Sequence, residues 1–343
     1  MTNETPDGPP PAARLMQMIV GHWVTAAIYA ATKLKLFDQL HPDAKDSDAV
    51  AEESGANPSA VFRLLRALAS VGVVEEKEPR RFALTELGDL LREDHPQSMR
   101  GMALFQGAPP HWRGWGEFLH SVQTGESAFE HVHGKGFFDY CETDEEFSAH
   151  FNDAMTAMSA GAAASVLDAY DFTGIKRLVD VGGGHGFLIA SILQRFPDLQ
   201  GVVFDLPHVI QGTPSRLEAA GVQDRCETIG GSFLEEVPSG DAYVLKHIIH
   251  DWDDEHSRTI LTNIRGALDG DGKVLLIEAV IPPGNDPSLA KLVDLEMLHA
   301  THGGRERPEE EFAALFDSAG LVLSRVVPTQ SQFSVVEAKL KKS

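Results

Sequence analysis

The chain has 343 residues, of which 43% are apolar, so it can bury a full core and is longer than one typical domain. Its formal net charge of -22 repels phosphate backbones and anionic lipid surfaces, which argues against nucleic acid and membranes as partners. The two cysteines, Cys141 and Cys226, form no CxxC pair and no zinc-type spacing. A reducing, cytoplasmic setting is therefore expected.

Residues 1–11 are polar and proline-rich and lack the basic and apolar regions of a secretory signal, so we predict a disordered tail. The apolar stretch Leu15 to Ala31 is too short and, with Gln17 and His22, too polar to cross a membrane. We interpret it as a buried helix. Its apolar faces need a partner, and a second copy of the chain is the simplest one.

Residues 46–91 have the pattern of a winged helix-turn-helix: a short helix, a glycine-containing turn, a longer helix from Pro58, and two short strands around KEPR. DNA binding is one interpretation, with Arg63 and Arg66 on the second helix. However, acidic residues crowd this segment and no basic stripe accompanies the two arginines. A docking or dimerisation domain, placed at residues 12–98, is favoured.

Residues 99–343 are predicted to form the catalytic domain. Its first part, residues 99–170, is helical and rich in aromatic residues and Met, which suits a pocket for flat ring substrates. From Ile175 strands and helices alternate, and the last two apolar runs, LVLSRVVP and QFSVVEAKL, indicate a closing hairpin. This pattern predicts an α/β doubly wound, mostly parallel sheet that binds ligands at the carboxyl ends of its strands.

A glycine-rich turn follows the first predicted strand, in the segment LVDVGGGHGFL. Such turns let a ligand approach the backbone and serve several nucleotides. The dinucleotide spacing after Gly182 and Gly184 would require a third glycine where Phe187 stands, which disfavours NAD, and no Walker lysine follows. Asp205 ends the next strand, at about the 20-residue distance of an acid that binds ribose hydroxyls, although a helix cap is an alternative role.

His250 follows the fourth predicted strand in KHIIHDWDDEH, at the mouth of the expected cleft. A phenol has a pKa of about 10, so its attack on a methyl donor at neutral pH needs a base, and histidine suits that task. By itself this spacing favours an ordinary surface residue at a strand end. Acids before a helix indicate capping, but the segment also allows a metal cluster of His247, His250, Asp251, Asp253, Asp254 and His256.

Two carboxylates have positions from which they can orient that imidazole. Glu278 ends the apolar strand KVLLIEAV, and Glu306 lies in the turn GGRERP. A carboxylate that holds one imidazole nitrogen leaves the other free to take a proton, and its charge stabilises the imidazolium. For Glu306, an ion pair with Arg305 or Arg307 is the alternative.

In this order the motifs resemble those of the caffeic-acid-type, S-adenosylmethionine-dependent small-molecule O-methyltransferases of plants and their bacterial relatives. LVDVGGGHG matches the family's cofactor loop, VVFDLPHVI its ribose strand and LKHIIHDWDDEH its catalytic-base segment. The resemblance covers nearly all of the chain. It implies a Rossmann-like class I methyltransferase domain, an N-terminal helical winged-helix domain that mediates homodimerisation, S-adenosylhomocysteine as product, and no metal.

The resemblance also implies site residues. Those expected to bind the cofactor are Ser159, Gly182, Gly184, Asp205, Leu206, Ser232, Phe233 and Lys246. Ser232 stands where the family has Asp, a change that concerns affinity rather than function. His250 would be the base, flanked by Glu278 and Glu306, with His247 a structural residue. The expected acceptor pocket consists of Phe151, Met155, Met158 and Met297. Met158 replaces a histidine of the phenylpropanoid enzymes, so caffeic acid is not the expected acceptor.

We therefore predict methyl transfer to a hydroxyl of a small aromatic acceptor, such as a phenol, flavonoid, hydroxyindole or aromatic polyketide. Some members of the resembling family perform hydroxylation or decarboxylation with the same cofactor, and this is the first alternative. A winged-helix regulator is opposed by the net charge, and an NAD(P) oxidoreductase by the glycine spacing.

Overall fold

The computed structural model describes residues 9–341, and the chain separates into two compact units. The first comprises residues up to 112 together with 144–157, and the second comprises residues 113–143 together with 158 onward. Residues 1–8, which make up most of the predicted tail 1–11, lie outside the described part of the chain. The segment 99–170, predicted as one part of the catalytic domain, contributes residues to both units.

The first unit contains the predicted winged helix-turn-helix. Its elements are α1 (Pro11–Ile19), α2 (Gly21–Lys33), α3 (Leu36–Gln39), β1 (Lys45–Asp46), α4 (Ser47–Ser54), α5 (Pro58–Ser70), β2 (Val74–Glu78), β3 (Arg81–Leu84), α6 (Glu86–Asp89) and α7 (Arg100–Gly107). The strands form an antiparallel sheet in the order β1-β3-β2. Asn57 starts α5, because its side chain accepts a hydrogen bond from the Ala60 amide and Pro58 occupies the first turn. Leu65 and Leu68 on the inner side of α5 are buried in this unit's core.

The prediction of one buried helix over residues 15–31 is wrong. The structure has two helices, α1 and α2. No residue of α1 is buried and its Met18 is 72% exposed, whereas α2 exposes Trp23 by 64% but buries Ala31. The sequence pattern reports apolar character correctly but not whether the chain itself supplies the covering surface. Within the described residues, no helix is long and apolar enough to cross a membrane.

Two helices contribute residues to both units, α8 (Pro109–Gly116) and α12 (Glu145–Ala169). The remaining elements belong to the second unit: α9 (Phe118–Thr124), α10 (Ala128–His133), α11 (Phe137–Cys141), β4 (Arg177–Val181), α13 (Phe187–Arg195), β5 (Gln200–Asp205), α14 (Thr213–Ala219), β6 (Cys226–Gly230), β7 (Gly240–Lys246), α15 (Asp254–Ala267), β8 (Leu268–Glu278), α16 (Ala290–Ala300), α17 (Glu309–Ser318), β9 (Leu321–Pro328) and β10 (Ser334–Leu340). The predicted alternation and the closing hairpin are thus both present.

The second unit is built on a seven-stranded sheet in the order β6-β5-β4-β7-β8-β10-β9. Strands β4 to β8 are parallel, and β10 pairs antiparallel with β8 and β9. Alternate residues of β4 enter different cores, Leu178 on one face and Val179 and Val181 on the other. Both faces of the sheet are therefore buried, as a doubly wound fold requires.

Strand order reverses between β4 and β7, because the chain runs outward from β4 through β5 to β6 and then returns to β7 on the other side. In doubly wound sheets the carboxyl ends of the two strands at such a switch point open into a ligand crevice. Gly182 follows β4 and His250 follows β7 within four residues. The topology thus brings the glycine turn and the predicted base to the same edge of the sheet.

Candidate active site

The turn after β4 requires glycine at two of the positions predicted to face the cofactor. Gly182 has φ +68° and Gly184 has φ +56°, values in the left-handed region that other residues adopt only with strain. At Gly182 a Cβ atom would also clash with the end of the Ile248 side chain, which would have to shift. The backbone of this turn is consequently left uncovered by side chains of its own.

Asp205 fastens the glycine turn to the end of β5. Its Oδ2 accepts a hydrogen bond from the Gly184 amide at 2.8 Å, and its Oδ1 accepts one from the Leu206 amide at 2.7 Å. Neither amide belongs to a helix, so the alternative role as a helix cap does not apply. Each carboxylate oxygen can accept a further bond, so the residue still suits a ribose diol.

The residues predicted at the adenine end lie after β5 and β6. Leu206 is exposed, while Ser232 and Phe233 are half-buried. The Ser232 hydroxyl accepts a hydrogen bond from the Leu234 amide at 3.3 Å, and the Phe233 ring meets the Trp252 ring edge-on with centroids 5.8 Å apart. Ser232 thus stabilises its own turn at the position where the resembling family has Asp.

Two ionisable side chains, buried Asp180 and half-buried Lys246, lie at the ends of β4 and β7, and sequence reasoning missed one of them. Asp180 has its Oδ2 buried without a hydrogen-bond partner among the described residues, and burial raises its pKa to about 7. Burial lowers the pKa of Lys246, although Asp180 and Glu278 oppose this shift. Asp180 was detectable as the one acid in the apolar run LVDV.

These features fit S-adenosylmethionine. A cofactor with a ribose diol and two positively charged groups finds a carboxylate at Asp205, a carboxylate oxygen at Asp180 without a described hydrogen-bond partner, and open space beside Gly184. The remaining predicted cofactor residue, Ser159, is half-buried on the part of α12 that belongs to the second unit.

His250 lies in the single helical turn Ile249–Asp251 that follows β7. Its Nδ1 is 2.8 Å from Oε1 of Glu306 and 3.9 Å from Oε2 of Glu278. Its Nε2 lies 3.5 Å from Oδ1 of Asp251. The structure therefore brings together all three residues predicted as the base and its flanking acids, although they are widely separated in sequence.

The two glutamates make different contacts. Glu306 binds the imidazole ring directly, and its own amide donates to Oδ1 of Asp294 at 2.9 Å. Glu278 instead accepts hydrogen bonds on Oε1 from the amides of Ile248 and Ile249, at 3.2 and 3.0 Å. Glu306 thus orients the ring, while Glu278 mainly holds the backbone turn that carries it.

Neighbouring carboxylates control the protonation of this cluster. Burial alone would lower the pKa of His250, but the charges of Asp251, Glu278 and Glu306 outweigh it and raise the pKa to about 10. Burial also raises the pKa of Glu278 to about 7. A proton on the imidazole is therefore strongly stabilised, as a general base needs after it has acted.

The alternative metal cluster in KHIIHDWDDEH does not form as a unit. Asp253 caps α15 by accepting from the His256 amide at 2.8 Å, and Asp254 pairs with Arg305 and Arg307. Metal-ligand atoms do lie within 4.8 Å of one another in the group His250, Glu278 and Glu306. In that group, Nδ1 of His250 and Oε1 of Glu306 already form a hydrogen bond with each other.

His247, predicted to be structural, has φ +53° and packs its ring on Phe333 and His250, with centroids 4.2 and 5.1 Å away. Burial lowers its pKa well below the usual value, so the ring is neutral.

The four residues predicted to line the acceptor pocket are divided between the units. Phe151 and Met155 lie on the part of α12 in the first unit, where the Phe151 ring packs 5.4 Å from that of Phe105. Met158 packs against a core of the second unit, and Met297 is buried on α16. Their joint role as a pocket stays a prediction.

Comparison with known proteins identifies the family of the chain. A family model described as an O-methyltransferase domain matches residues 115–322, and one described as an O-methyltransferase dimerisation domain matches residues 16–94. The chain is 43% identical over 331 residues to a phenazine O-methyltransferase of Lysobacter antibioticus, with 96% of each chain covered. It is 38% identical over 334 residues to a mitomycin biosynthesis 6-O-methyltransferase of Streptomyces lavendulae, with 95% of each covered.

A solved structure extends the agreement to the fold. The calicheamicin biosynthesis methyltransferase CalO1, in its S-adenosylhomocysteine-bound form, superposes with a TM-score of 0.86 at 35% identity, over 96% of this chain and 98% of that one. The resemblance drawn from the motifs is thereby confirmed, together with the fold class. The chain belongs to the S-adenosylmethionine-dependent small-molecule O-methyltransferases, with a Rossmann-like catalytic domain and an N-terminal dimerisation domain.

Proposed function

We propose that this enzyme methylates a hydroxyl group of a small aromatic acceptor, with His250 as the general base. The observation that carries the proposal is the 2.8 Å contact between Nδ1 of His250 and Glu306, at the sheet edge that also holds the glycine turn. A similar protein named for phenazine methylation supports an aromatic acceptor.

In this mechanism the protein's residues move one proton and hold the reactants. S-adenosylmethionine supplies, when bound, a methyl group on a positively charged sulfur and leaves as S-adenosylhomocysteine once the methyl ether has formed. Glu306 holds Nδ1, so the Nε2 lone pair of His250 accepts the hydroxyl proton. Alignment and exclusion of water supply most of the acceleration, and the base contributes on the order of a hundredfold or more.

The cofactor site and the acceptor pocket follow the same proposal. Gly182 and Gly184 offer bare backbone, and Asp205 offers carboxylate oxygens for the ribose. Leu206, Ser232, Phe233, Ser159 and Lys246 complete the proposed cofactor site. Phe151, Met155, Met158 and Met297 are proposed to contact the acceptor, because aromatic and thioether side chains suit a flat ring.

We also propose that the enzyme works as a homodimer joined through its N-terminal domain, without nucleic acid or membrane partners. The match to a dimerisation domain over residues 16–94 and the exposed apolar side chains of α1 and α2 support the dimer. The net charge of -22 opposes binding to anionic polymers and lipids. The chain has only two cysteines, Cys141 and Cys226, with no CxxC pair, which agrees with a cytoplasmic location.

The test uses labelled S-adenosylmethionine and a panel of aromatic hydroxyl compounds. With an acceptor identified, His250→Ala should reduce methyl transfer on the order of a hundredfold or more while binding of the cofactor, measured by calorimetry, is retained. His256→Ala is the matched control, because this exposed histidine of the same segment pairs only with Asp253 among the described contacts of its side-chain nitrogens. Full activity of His250→Ala would contradict the assignment of His250 as the general base. Cofactor binding without label transfer to any compound would favour the hydroxylation or decarboxylation alternative.

A further inference from the structure

The guanidinium of Arg307 is buried next to the proposed base, with only 1% of the residue exposed. From the sequence it was only an ion-pair partner for Glu306, but Glu306 binds the His250 ring instead. Burial of a permanently charged group is costly unless hydrogen bonds replace its hydration. The hydrogen-bond partners of this side chain therefore indicate its structural role.

Of the four described hydrogen bonds of this guanidinium, two go to backbone carbonyls of the segment that carries His250, and another goes from Nη1 to the Arg305 carbonyl at 3.3 Å. Nη1 donates to the Ile249 carbonyl at 3.0 Å, and Nη2 donates to the Trp252 carbonyl at 3.0 Å. Nη2 also donates to Oδ1 of Asp254 at 2.8 Å. The two carbonyls stand on either side of His250 in the chain, so the planar fork holds the turn at both ends.

The loop that carries Arg307 is itself held by backbone hydrogen bonds at Arg305 and at Arg307. The Arg305 amide donates to the His250 carbonyl at 2.8 Å, and the Ile281 amide donates to the Arg307 carbonyl at 3.1 Å. Glu306 lies between the two arginines. One short segment therefore carries both the Glu306 carboxylate that contacts Nδ1 of His250 and the Arg307 guanidinium that binds the Ile249 and Trp252 carbonyls.

We propose that Arg307 is a positioning residue that holds the 249–252 turn so that the His250 ring meets Glu306; this rests on the proposed role of His250 as the base. Arginine suits this task because two separate nitrogens in a rigid plane reach two carbonyls at once. Without the guanidinium contacts, the hydrogen bond from the Arg305 amide to the His250 carbonyl is left to join the turn to the 305–307 loop, so the turn is held less firmly. The distance from Nδ1 to Glu306 then varies, and the pKa of His250 falls because the stabilising carboxylate is farther away.

Arg307→Lys tests the proposal, because lysine keeps the positive charge but has a single nitrogen in place of the fork. We expect kcat to fall roughly tenfold to a hundredfold while the cofactor Kd changes by less than about twofold. The pH dependence of kcat/KM should move to lower pH, a change that a loss of packing alone would not produce. Arg305→Ala is the matched control, because it removes an exposed side chain on the same loop and keeps the amide that binds His250. It should retain the kcat and pH profile of the unmodified enzyme.

A double variant separates this proposal from the assignment of His250. If Arg307 acts through His250, then Arg307→Lys causes no further loss in the residual activity of His250→Ala. Multiplied losses, or an unchanged kcat and pH profile in Arg307→Lys alone, overturn the positioning role. A fully active His250→Ala overturns the base assignment, and the positioning role with it.

Where Arg307→Lys does not fold, Asp254→Asn takes its place, since it removes the negative charge that pairs with Nη2 and changes only a largely exposed side chain. We expect a drop in kcat of about a few fold with cofactor affinity retained. Unchanged kcat and an unchanged pH profile in Asp254→Asn overturn the proposal in that case.

Discussion

At the scale of single residues, the imidazole of His250, the proposed base, is held at Nδ1 by the Glu306 carboxylate. The charges of Asp251, Glu278 and Glu306 outweigh burial and raise its pKa to about 10. The same raised pKa means that the ring of the free enzyme is protonated near neutral pH.

This protonation predicts a pH dependence. Because a protonated imidazole cannot accept the hydroxyl proton, kcat/KM should rise with pH through the neutral range and level off as pH approaches the pKa of His250. Glu306→Gln removes one anion beside the ring, which lowers the pKa of His250 and moves the rise to lower pH. Rate measurements from pH 6 to 10 check this, at about unit intervals.

Glu311→Gln serves as the control for that series, since Glu311 is exposed on α17 and pairs with Arg305 at 3.3 Å. Its profile should coincide with that of the unmodified enzyme. A rise at the same pH in Glu306→Gln and in the unmodified enzyme would show that Glu306 does not tune the base.

At the scale of elements, a buried carboxylate joins the closing hairpin to the end of α12. Glu337 on β10 is 1% exposed, and its Oε2 accepts from the Tyr170 hydroxyl at 2.6 Å and from Nη2 of Arg325 on β9 at 2.9 Å. Burial alone would raise the pKa of Glu337, but these hydrogen bonds outweigh it and lower the pKa to about 2. The ionised carboxylate thus stabilises the contact between these elements.

The depressed pKa gives a stability prediction with a definite sign. The ionised Glu337 carboxylate contributes to the free energy of unfolding above the unfolded-state pKa of about 4.5, and this contribution is lost as pH falls towards 2. At pH 7 Glu337→Gln should lower the free energy of unfolding by about 1–3 kcal/mol, measured by urea denaturation. The difference between the two proteins should shrink as pH falls from about 4.5 towards 2.

Glu227→Gln is the matched control, because Glu227 on β6 pairs with Arg177 on β4 at 2.9 Å but is largely exposed. Loss of an exposed pair should cost less than about 1 kcal/mol. Equal losses in the two variants would contradict a special role for the buried carboxylate.

At the scale of the whole molecule, the first two helices expose an apolar surface that the described chain does not cover. Its side chains are between 58% and 72% exposed and lie at the start of the region matched by the dimerisation domain. They are Leu15, Met16, Met18, Ile19 and Trp23. Exposed apolar surface of this kind is typical of protein interfaces.

Met18→Asp should therefore shift the protein from two chains towards one, because the aspartate charge would have to be desolvated in the interface. Light scattering after size-exclusion chromatography, at several protein concentrations, measures the mass. Val322→Asp, on an exposed position of β9, is the control and should leave the mass unchanged. An unmodified protein of single-chain mass, or a Met18→Asp variant of undiminished mass, would rule out this interface.

Local signals were sufficient for the fold and for the order of the motifs. The apolar runs predicted β4 to β10, and the glycines of LVDVGGGHG marked a turn that requires glycine at positions 182 and 184. HDW after β7 singled out His250 only through the family resemblance. These signals are carried by neighbouring residues, so the sequence alone contains them. The family resemblance, which the comparisons confirm, rests on the same local motifs.

Tertiary structure decided how the residues of the site divide their work. Glu306 lies 56 positions from His250, and only the folded loop shows that it binds the ring while Glu278 binds the backbone and Arg307 holds the turn. Likewise, apolar residues 15–31 show hydrophobic character in the sequence, but their exposure depends on which surfaces the fold leaves uncovered. Hydrogen-bond partners, burial and pKa values depend on contacts distant in the chain, and no local pattern specifies them.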